Sequence, residues 1–370
     1  MVAGCQPPTG APPPQPAPQL PASDKLPGWD ALVEAAKREG EVSLYLAIPA
    51  ARDVLTTPFE TAYPGMKVSQ TIAPNVDLVA RILAEREAGK YLSDVIIGPA
   101  SQSVLVLKPA RALEPLGPSL VLPEVVDTSK WLDNRLWWID ATEPITTLSF
   151  QGYVAPSLSY NTQMVDPREF TSFMDLLNPK WRGQIVSNDI RRPGSGSTQV
   201  RVIWQHPDLG PRYIERLFSE MDIQVSSDHR QMIDWLGQGR YPLGLWLSSS
   251  QMRVAAEDGL PVKDLSAKAF RESAGVTQGG GTVNLAANAV HPNAAKLFIN
   301  WFLSREGQML WQREVETPSL RIDIPKDGLE PGIVPEVGAQ YIDSTTEAFN
   351  ALVSMDEIRD LVDRALARRG

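Results

Sequence analysis

Residues 29–48 read WDALVEAAKREGEVSLYLAI, and one periodicity gives way to another inside this stretch. Trp29, Leu32, Val33 and Ala36 recur at helical spacing along one apolar face, and Gly40 supplies the stop. Val42, Leu44, Leu46 and Ile48 then alternate with period two, the pattern of a strand with one buried face. The following residues repeat the sequence of events. A helical segment over 57–63 leads through a Tyr-Pro-Gly turn to the strand MKVSQTIA. NVDLVARILAEREAGK reads as a second amphipathic helix, capped by Asn75 and closed near Gly89, and SDVIIG as a strand buried on both faces. This α-β-α-β-α-β order predicts an open, mostly parallel α/β sheet covered by helices.

The same alternation resumes further along. Residues 137–165 are strand-rich and read as a connection that leaves one lobe and begins another. FTSFMDLLNPKWRGQIVSND then predicts a helix, a Pro/Gly turn and a short strand. TQVRVIWQ, MIDWLGQG and SQMRVAAEDG read as helices, with strands in YPLGLWLSS and LPVKDL. Near the C-terminus Asn293 and Ser304 are predicted helix caps, and helical periodicity returns from about residue 344.

Composition narrows the function. The chain has 370 residues, enough for two domains, each with its own core. Its net charge of −9 and lack of a basic block argue against a nucleic-acid partner. No run reaches the ~18 apolar residues of a membrane-spanning helix. His206, His229 and His291 are scattered, so no histidine-based zinc site or other metal site is expected. No cofactor motif is present either: GxxxxGK[ST] is missing, and GSGS lacks the context of a dinucleotide fingerprint.

Cys5, the only cysteine, has no disulfide partner. The preceding Val2-Ala3-Gly4 resembles the end of a bacterial lipobox, although no basic or apolar leader stands before it. The proline-rich residues 6–28 cannot bury enough surface to fold and read as a semi-rigid tether. A lipid anchor at Cys5, a tether over residues 1–28 and an extracytoplasmic body are the expectation.

Three stretches carry a family resemblance: DLLNPKWRGQIV (175–186), HPNAAKLFINWFLSREGQ (291–308) and the Arg321-Ile322-Asp323 ending. Together with the element order they make the chain similar to the extracellular solute-binding proteins of bacterial ABC importers, in the iron(III)-type branch. That resemblance implies a two-lobed type II periplasmic binding fold, each lobe an open mixed sheet flanked by helices. Lobe one would comprise 29–148 with 275–322, lobe two 149–274, and residues 323–370 a helical segment packed on both. Two crossovers, near 147–153 and 274–281, would form the hinge. The implied partners are a small-molecule solute and a membrane permease, and the protein is expected to be monomeric and not an enzyme. A sensor domain or an enzyme on the same fold is the rival reading from another class.

Ligands of open α/β sheets bind beyond the carboxyl ends of the strands. This selects Ala50 and Arg52 after the first strand, and Ser101 with Ser103 after the third. In RRPGSGST (191–198) it selects Arg191, Arg192, Gly194 and Ser195, two forked donors running into a helix N-terminus suited to an anion. In LWLSSSQ it selects Trp246 as an apolar wall, with Ser248, Ser249 and Ser250. Gly279, Gly280 and Gly281 would permit close approach or hinge bending. Iron-binding members of the resembled branch carry adjacent tyrosines where this chain has Ser249 and Ser250, and serine does not supply a phenolate-like ligand. The expected solute is therefore anionic or polar and organic, a carboxylate, phosphate ester or phosphonate, with a ferric ion or chelate as the alternative.

Overall fold

A computed structural model of the chain describes residues 28–48, 51–155, 158–192, 195–272, 275–279, 281–344 and 346–368, without the side chains of Ser195, Ser250 and Asn350. Cys5, the tether, Ala50, Gly194 and Gly280 lie outside the described residues.

The chain begins with α1 (Trp29–Glu39), β1 (Glu41–Leu46), α2 (Arg52–Ala62), β2 (Lys67–Ile72), α3 (Asn75–Glu87) and β3 (Val95–Gly98). Short elements follow: α4 (Ala100–Gln102), a π-helical turn Ser103–Leu107, β4 (Leu113–Glu114), α5 (Pro123–Val126), β5 (Trp137–Trp138) and β6 (Thr147–Ser149). Next come β7 (Tyr153–Val154), β8 (Leu158–Asn161), β9 (Ile185–Asn188), α6 (Ser195–Gln205), α7 (Gly210–Glu220) and β10 (Gln224–Ser226). Then α8 (His229–Gly237), β11 (Leu243–Leu245), α9 (Ser249–Glu257), β12 (Val262–Leu265), β13 (Gly275–Thr277) and β14 (Thr282–Ala286). The chain closes with α10 (Pro292–Leu303), α11 (Arg305–Val315), β15 (Ile342–Asp343), α12 (Glu347–Leu352) and α13 (Met355–Ala367).

The strands form two main sheets, each with its own apolar core, and the molecule is two-lobed. The first sheet runs β2-β1-β3-β14-β6-β5 with β4 beside β14, and the second runs β10-β9-β11-β8-β12. Both are mixed, as expected, but parallel pairing is not the majority. In the first sheet β1 is parallel to β2 and β3, whereas every pairing of β14 and β6 is antiparallel. In the second, β9 is parallel to its two neighbours and β8 antiparallel to both of its own. Strands that arrive through the crossovers enter head-on, which the local α-β rhythm does not reveal. A third, three-stranded sheet, β15-β13-β7, joins one strand from each crossover to β15, which comes after both main sheets in the chain.

Local physics accounts for most of the elements. Gly40 ends α1 at φ 75°, a conformation its missing Cβ permits. Ser304 caps α11 by accepting the Gly307 N–H, as expected. Asn293 is not a cap: Glu39 reaches across to accept the N–H groups of Asn293 and Ala294 at 3.0 and 2.7 Å. Asn75 is likewise the first helical residue, following Pro74. The helix expected in FTSFMDLL is instead a 3-10 turn, Phe173–Leu177, followed by a second at Pro179–Trp181. Pro179 disfavours helical backbone at Asn178 and so truncates it.

The register shows where the cleft must be. β6 ends at Ser149, which pairs with Thr282, which in turn pairs with Gly98 at the carboxyl end of β3. β8 begins at Leu158, opposite Leu245 at the carboxyl end of β11. Residues 150–157 thus lead from the carboxyl edge of one sheet to the carboxyl edge of the other. Residues 266–281 make the return trip, from Leu265, also opposite Leu158, to Thr282. Both connections therefore place the same two sheet edges on either side of one gap.

Candidate functional site

The edge of the first sheet carries the loops after β1 and β3. Arg52 opens α2 and is exposed, while its carbonyl is occupied by Thr56 and Gln70. Ser101 is exposed on α4. Ser103, by contrast, is buried, and its hydroxyl turns back to the Pro99 carbonyl. Of the residues expected at this edge, Arg52 and Ser101 are exposed.

The edge of the second sheet overturns part of the expectation. Arg191 is not a free fork. Its Nε and Nη2 donate to the two oxygens of Asp189 at 2.7 and 3.0 Å, and Nη1 donates to Asp363 of α13 at 2.8 Å. With two carboxylates on one guanidinium, its pKa rises, the hydrogen bond to Asp189 being the largest cause. Burial opposes the charge on Asp189, but the Arg191 side chain and N–H hold its carboxyl below the ordinary range. Arg192 is mostly exposed and lies 3.7 Å from Asp189, so it remains presentable to solvent. Ser195 begins α6, and Gly196 lets the start of that helix close on β9: a Cβ there would come within 2.9 Å of Asn188 Oδ1.

Trp246 is a core residue, not a cleft wall. It is 2% exposed, at φ 58°, and stacks on Phe218 with ring centroids 6.3 Å apart. The left-handed backbone at the end of β11 turns the side chain inward. Ser248 is half-buried, and its N–H donates to His229 Nδ1 at 3.2 Å. That bond makes Nδ1 an acceptor, and burial lowers the His229 pKa against the opposing charge of Asp228. Ser249, the first residue of α9, hydrogen-bonds Asp264 of β12, which also accepts the Ser159 hydroxyl at 2.5 Å. Burial pushes the Asp264 carboxyl up to about 6, and nearby Glu330 adds to the rise.

His229 and Asp264 escaped the sequence reading. Asp264 lies in an unremarkable Val-Lys-Asp-Leu strand, and only the β8–β12 register brings it to Ser159. His229 follows Asp228, which caps α8, so a strand-then-Asp signal for the loop was available. Among the glycine run, Gly279 sits at φ 56°, and a Cβ on Gly281 would fall 1.8 Å from Gln151. Gln151 in turn donates to the Gln278 carbonyl at 2.8 Å and accepts from Trp311 at 2.6 Å. These glycines serve crossover-to-crossover packing. Across the gap, Arg253 of α9 lies 3.4 Å from Glu316, which follows α11.

Among the described residues no group of three or more His, Cys, Asp or Glu is placed to hold a metal ion. No helix among them is long and apolar enough to cross a membrane. The two sheet edges carry hydroxyls, one half-buried imidazole and exposed guanidinium groups. Such a set offers donors and acceptors to a polar solute.

Comparison with known proteins agrees on the fold. No curated protein matches the chain significantly. Solved structures do. The iron-bound HitA of Pseudomonas aeruginosa is 17% identical, with 88% of this chain covering 99% of that one at a TM-score of 0.61. AfuA of Actinobacillus pleuropneumoniae, with fructose-6-phosphate bound, is 17% identical, at 89% and 98% coverage and a TM-score of 0.59. An ABC transporter structure from Clostridium perfringens is 15% identical, at 88% and 99% coverage and a TM-score of 0.67. The family model for bacterial extracellular solute-binding proteins matches residues 41–309, well over half of the chain. Element order and two sheets with separate cores agree with that match, and the chain belongs to the bacterial extracellular solute-binding protein family.

Proposed function

We propose that the protein captures a small polar organic solute bearing an anionic group between its two sheet edges and hands it to an ABC permease. The observation that carries this reading is the chemistry of those edges: exposed Arg52 and Ser101 on one, exposed Arg192 with Ser248 and His229 on the other. The arginines supply forked donors for a carboxylate or phosphate, and the hydroxyls and imidazole read the uncharged remainder. Hinge bending at 150–157 and 266–281 would close the edges and exclude water. The solute leaves chemically unchanged. A lipid anchor at Cys5, a monomeric state and the lobe boundaries 29–148 with 275–322, 149–274 and 323–370 complete the proposal.

Similar folds bind fructose-6-phosphate in AfuA and iron in HitA, so ligand class is the open variable. Ser249, engaged with Asp264, offers a neutral hydroxyl where a ferric site needs a hard anionic oxygen. A thermal-shift screen of the full chain against sugar phosphates, phosphonates, dicarboxylates, ferric citrate and polyamines tests the class. A ligand at 100 times its Kd stabilises by about 2.7 kcal/mol. Calorimetry on the hit should then show Arg52→Ala and Arg192→Ala each weakening binding about tenfold or more. Stabilisation by polyamines alone, or full affinity in both variants, would overturn the reading.

A further inference from the structure

The chain continues well beyond α11, and its path is unusual. Lys326 is fastened to the first lobe, donating to the carbonyls of Ser319 and Arg321 at 2.7 and 2.9 Å. By Gly332 the chain lies on the second lobe, where the Ser266 hydroxyl donates to the Gly332 carbonyl at 2.7 Å. β15 then adds a parallel strand to β13, with Ile342 beside Gly275 and Asp343 beside Val276. Glu347 returns to the first lobe. Its N–H donates to the Ile139 carbonyl at 2.8 Å, and its carboxylate accepts from Ala141 N–H at 2.8 Å and Lys108 Nζ at 2.9 Å. Lys108 is nearly buried, its side chain 8% exposed, and also pairs with Asp140 at 3.1 Å. Finally α13 packs on α7, burying Ile358, Val362 and Ala365 in the core of the second lobe.

Two of these attachments fall directly behind the cleft loops. The N–H of Lys108 closes the π-helical turn by donating to the Ser103 carbonyl at 2.8 Å, and that turn continues the loop after β3. Arg191, held by Asp363, stands in the loop after β9. One short stretch therefore grips a loop of each lobe by a charge and, just ahead of both grips, adds a strand to the crossover β13.

We propose that residues 342–367 form a charge-fastened brace that holds the two cleft loops in fixed relation and limits how far the lobes swing apart. Glu347 and Asp363 are its positioning residues. The proposal rests on the solute-capture reading for its purpose, while the mechanical claim stands on the contacts. It also gives Arg191 a role: the guanidinium expected to hold the solute holds the brace instead.

The test needs no ligand. Hydrogen exchange by mass spectrometry compares the full chain with Glu347→Gln/Asp363→Asn, which keeps side-chain shape and removes both charges. Amides of 275–277 and 103–107 should exchange on the order of tenfold faster in the variant, while β9 and β11 are unchanged. Small-angle scattering should show a larger radius of gyration. High salt should move the unmodified chain toward the variant, because the Arg191–Asp363 pair is partly exposed and screened. Asp356→Asn, on the same helix but paired only locally with Arg359, should change nothing. Unchanged exchange at 275–277 in the double variant, or equal loosening in Asp356→Asn, overturns the proposal. If α13 detaches altogether, seen as lost protection over 355–367, the single Glu347→Gln variant decides, since it leaves the packed face of α13 intact. Failure to find any solute would leave this result standing, so the two readings fail separately.

Discussion

Asp264→Asn probes the electrostatics of the second sheet edge through stability alone. Burial raises the Asp264 carboxyl to about 6, against an unfolded value near 3.9. A carboxyl whose folded pKa is raised binds its proton more tightly when folded. Its contribution to stability is therefore complete below about pH 4 and is lost as pH climbs through about 6. A shift of roughly 2 units corresponds to about 2–3 kcal/mol between those limits. Asparagine keeps an acceptor for the Ser159 and Ser249 hydroxyls but has no proton to lose. Urea unfolding of both proteins at intervals from pH 4 to 8 gives two stability profiles. Their difference isolates the one carboxyl, since the other titrating groups cancel. The unmodified chain should lose about 2–3 kcal/mol relative to the variant as pH rises from 4 to 7, then run parallel with it. Profiles parallel throughout would refute the argument, because Asp264 would then be as well solvated folded as unfolded. A difference of the opposite sign would show that the two hydroxyls outweigh burial.

Other substitutions test separate parts of the structure. Trp246→Ala should cost about 3–5 kcal/mol in urea unfolding, the loss of a large buried side chain, where a cleft-wall residue would cost far less. Arg191→Ala leaves the nearly buried Asp189 without its main partner and should cost about 1–3 kcal/mol, lowering Tm. Gly281→Ala has no room beside Gln151, so a soluble, fully stable variant would contradict the crossover packing described here. Lys326 is held down to about 8 by burial, so stability should rise as pH goes from 8 toward 10.5 and Lys326→Met should flatten that rise.

The parts legible in the sequence were those whose causes are local. Gly40, the strand that follows it and the Ser304 cap each act within one turn or one strand and stand where the pattern put them, although β1 stops at Leu46 and buries Tyr45 on its second face as well. The gap between sheet edges followed from strand order. What could not be read were partners far apart in the chain. Asp363 lies 172 residues from Arg191, and Glu39 lies 254 from the Asn293 it caps. Trp246 failed for a different reason: a place at the carboxyl end of a strand does not say where the side chain points, and the left-handed backbone there sets it in the core beside Phe218. The pairing of Arg191 with Asp189, only two residues away, and the helix cut short before Pro179 were corrections that local rules could have supplied.

The place of β14 has a consequence for how the molecule comes into being. It lies between β3 and β6, yet it is made only after the whole second sheet has been synthesised. Until residue 282 leaves the ribosome, β3 has no neighbour on that side, only a row of unpaired N–H and carbonyl groups. The first lobe cannot be completed as an early, independent unit, and contacts of long sequence separation slow the search for the native state. A polypeptide truncated before 282 would therefore leave the first sheet incomplete and protease-sensitive, although every strand of the second sheet is already present.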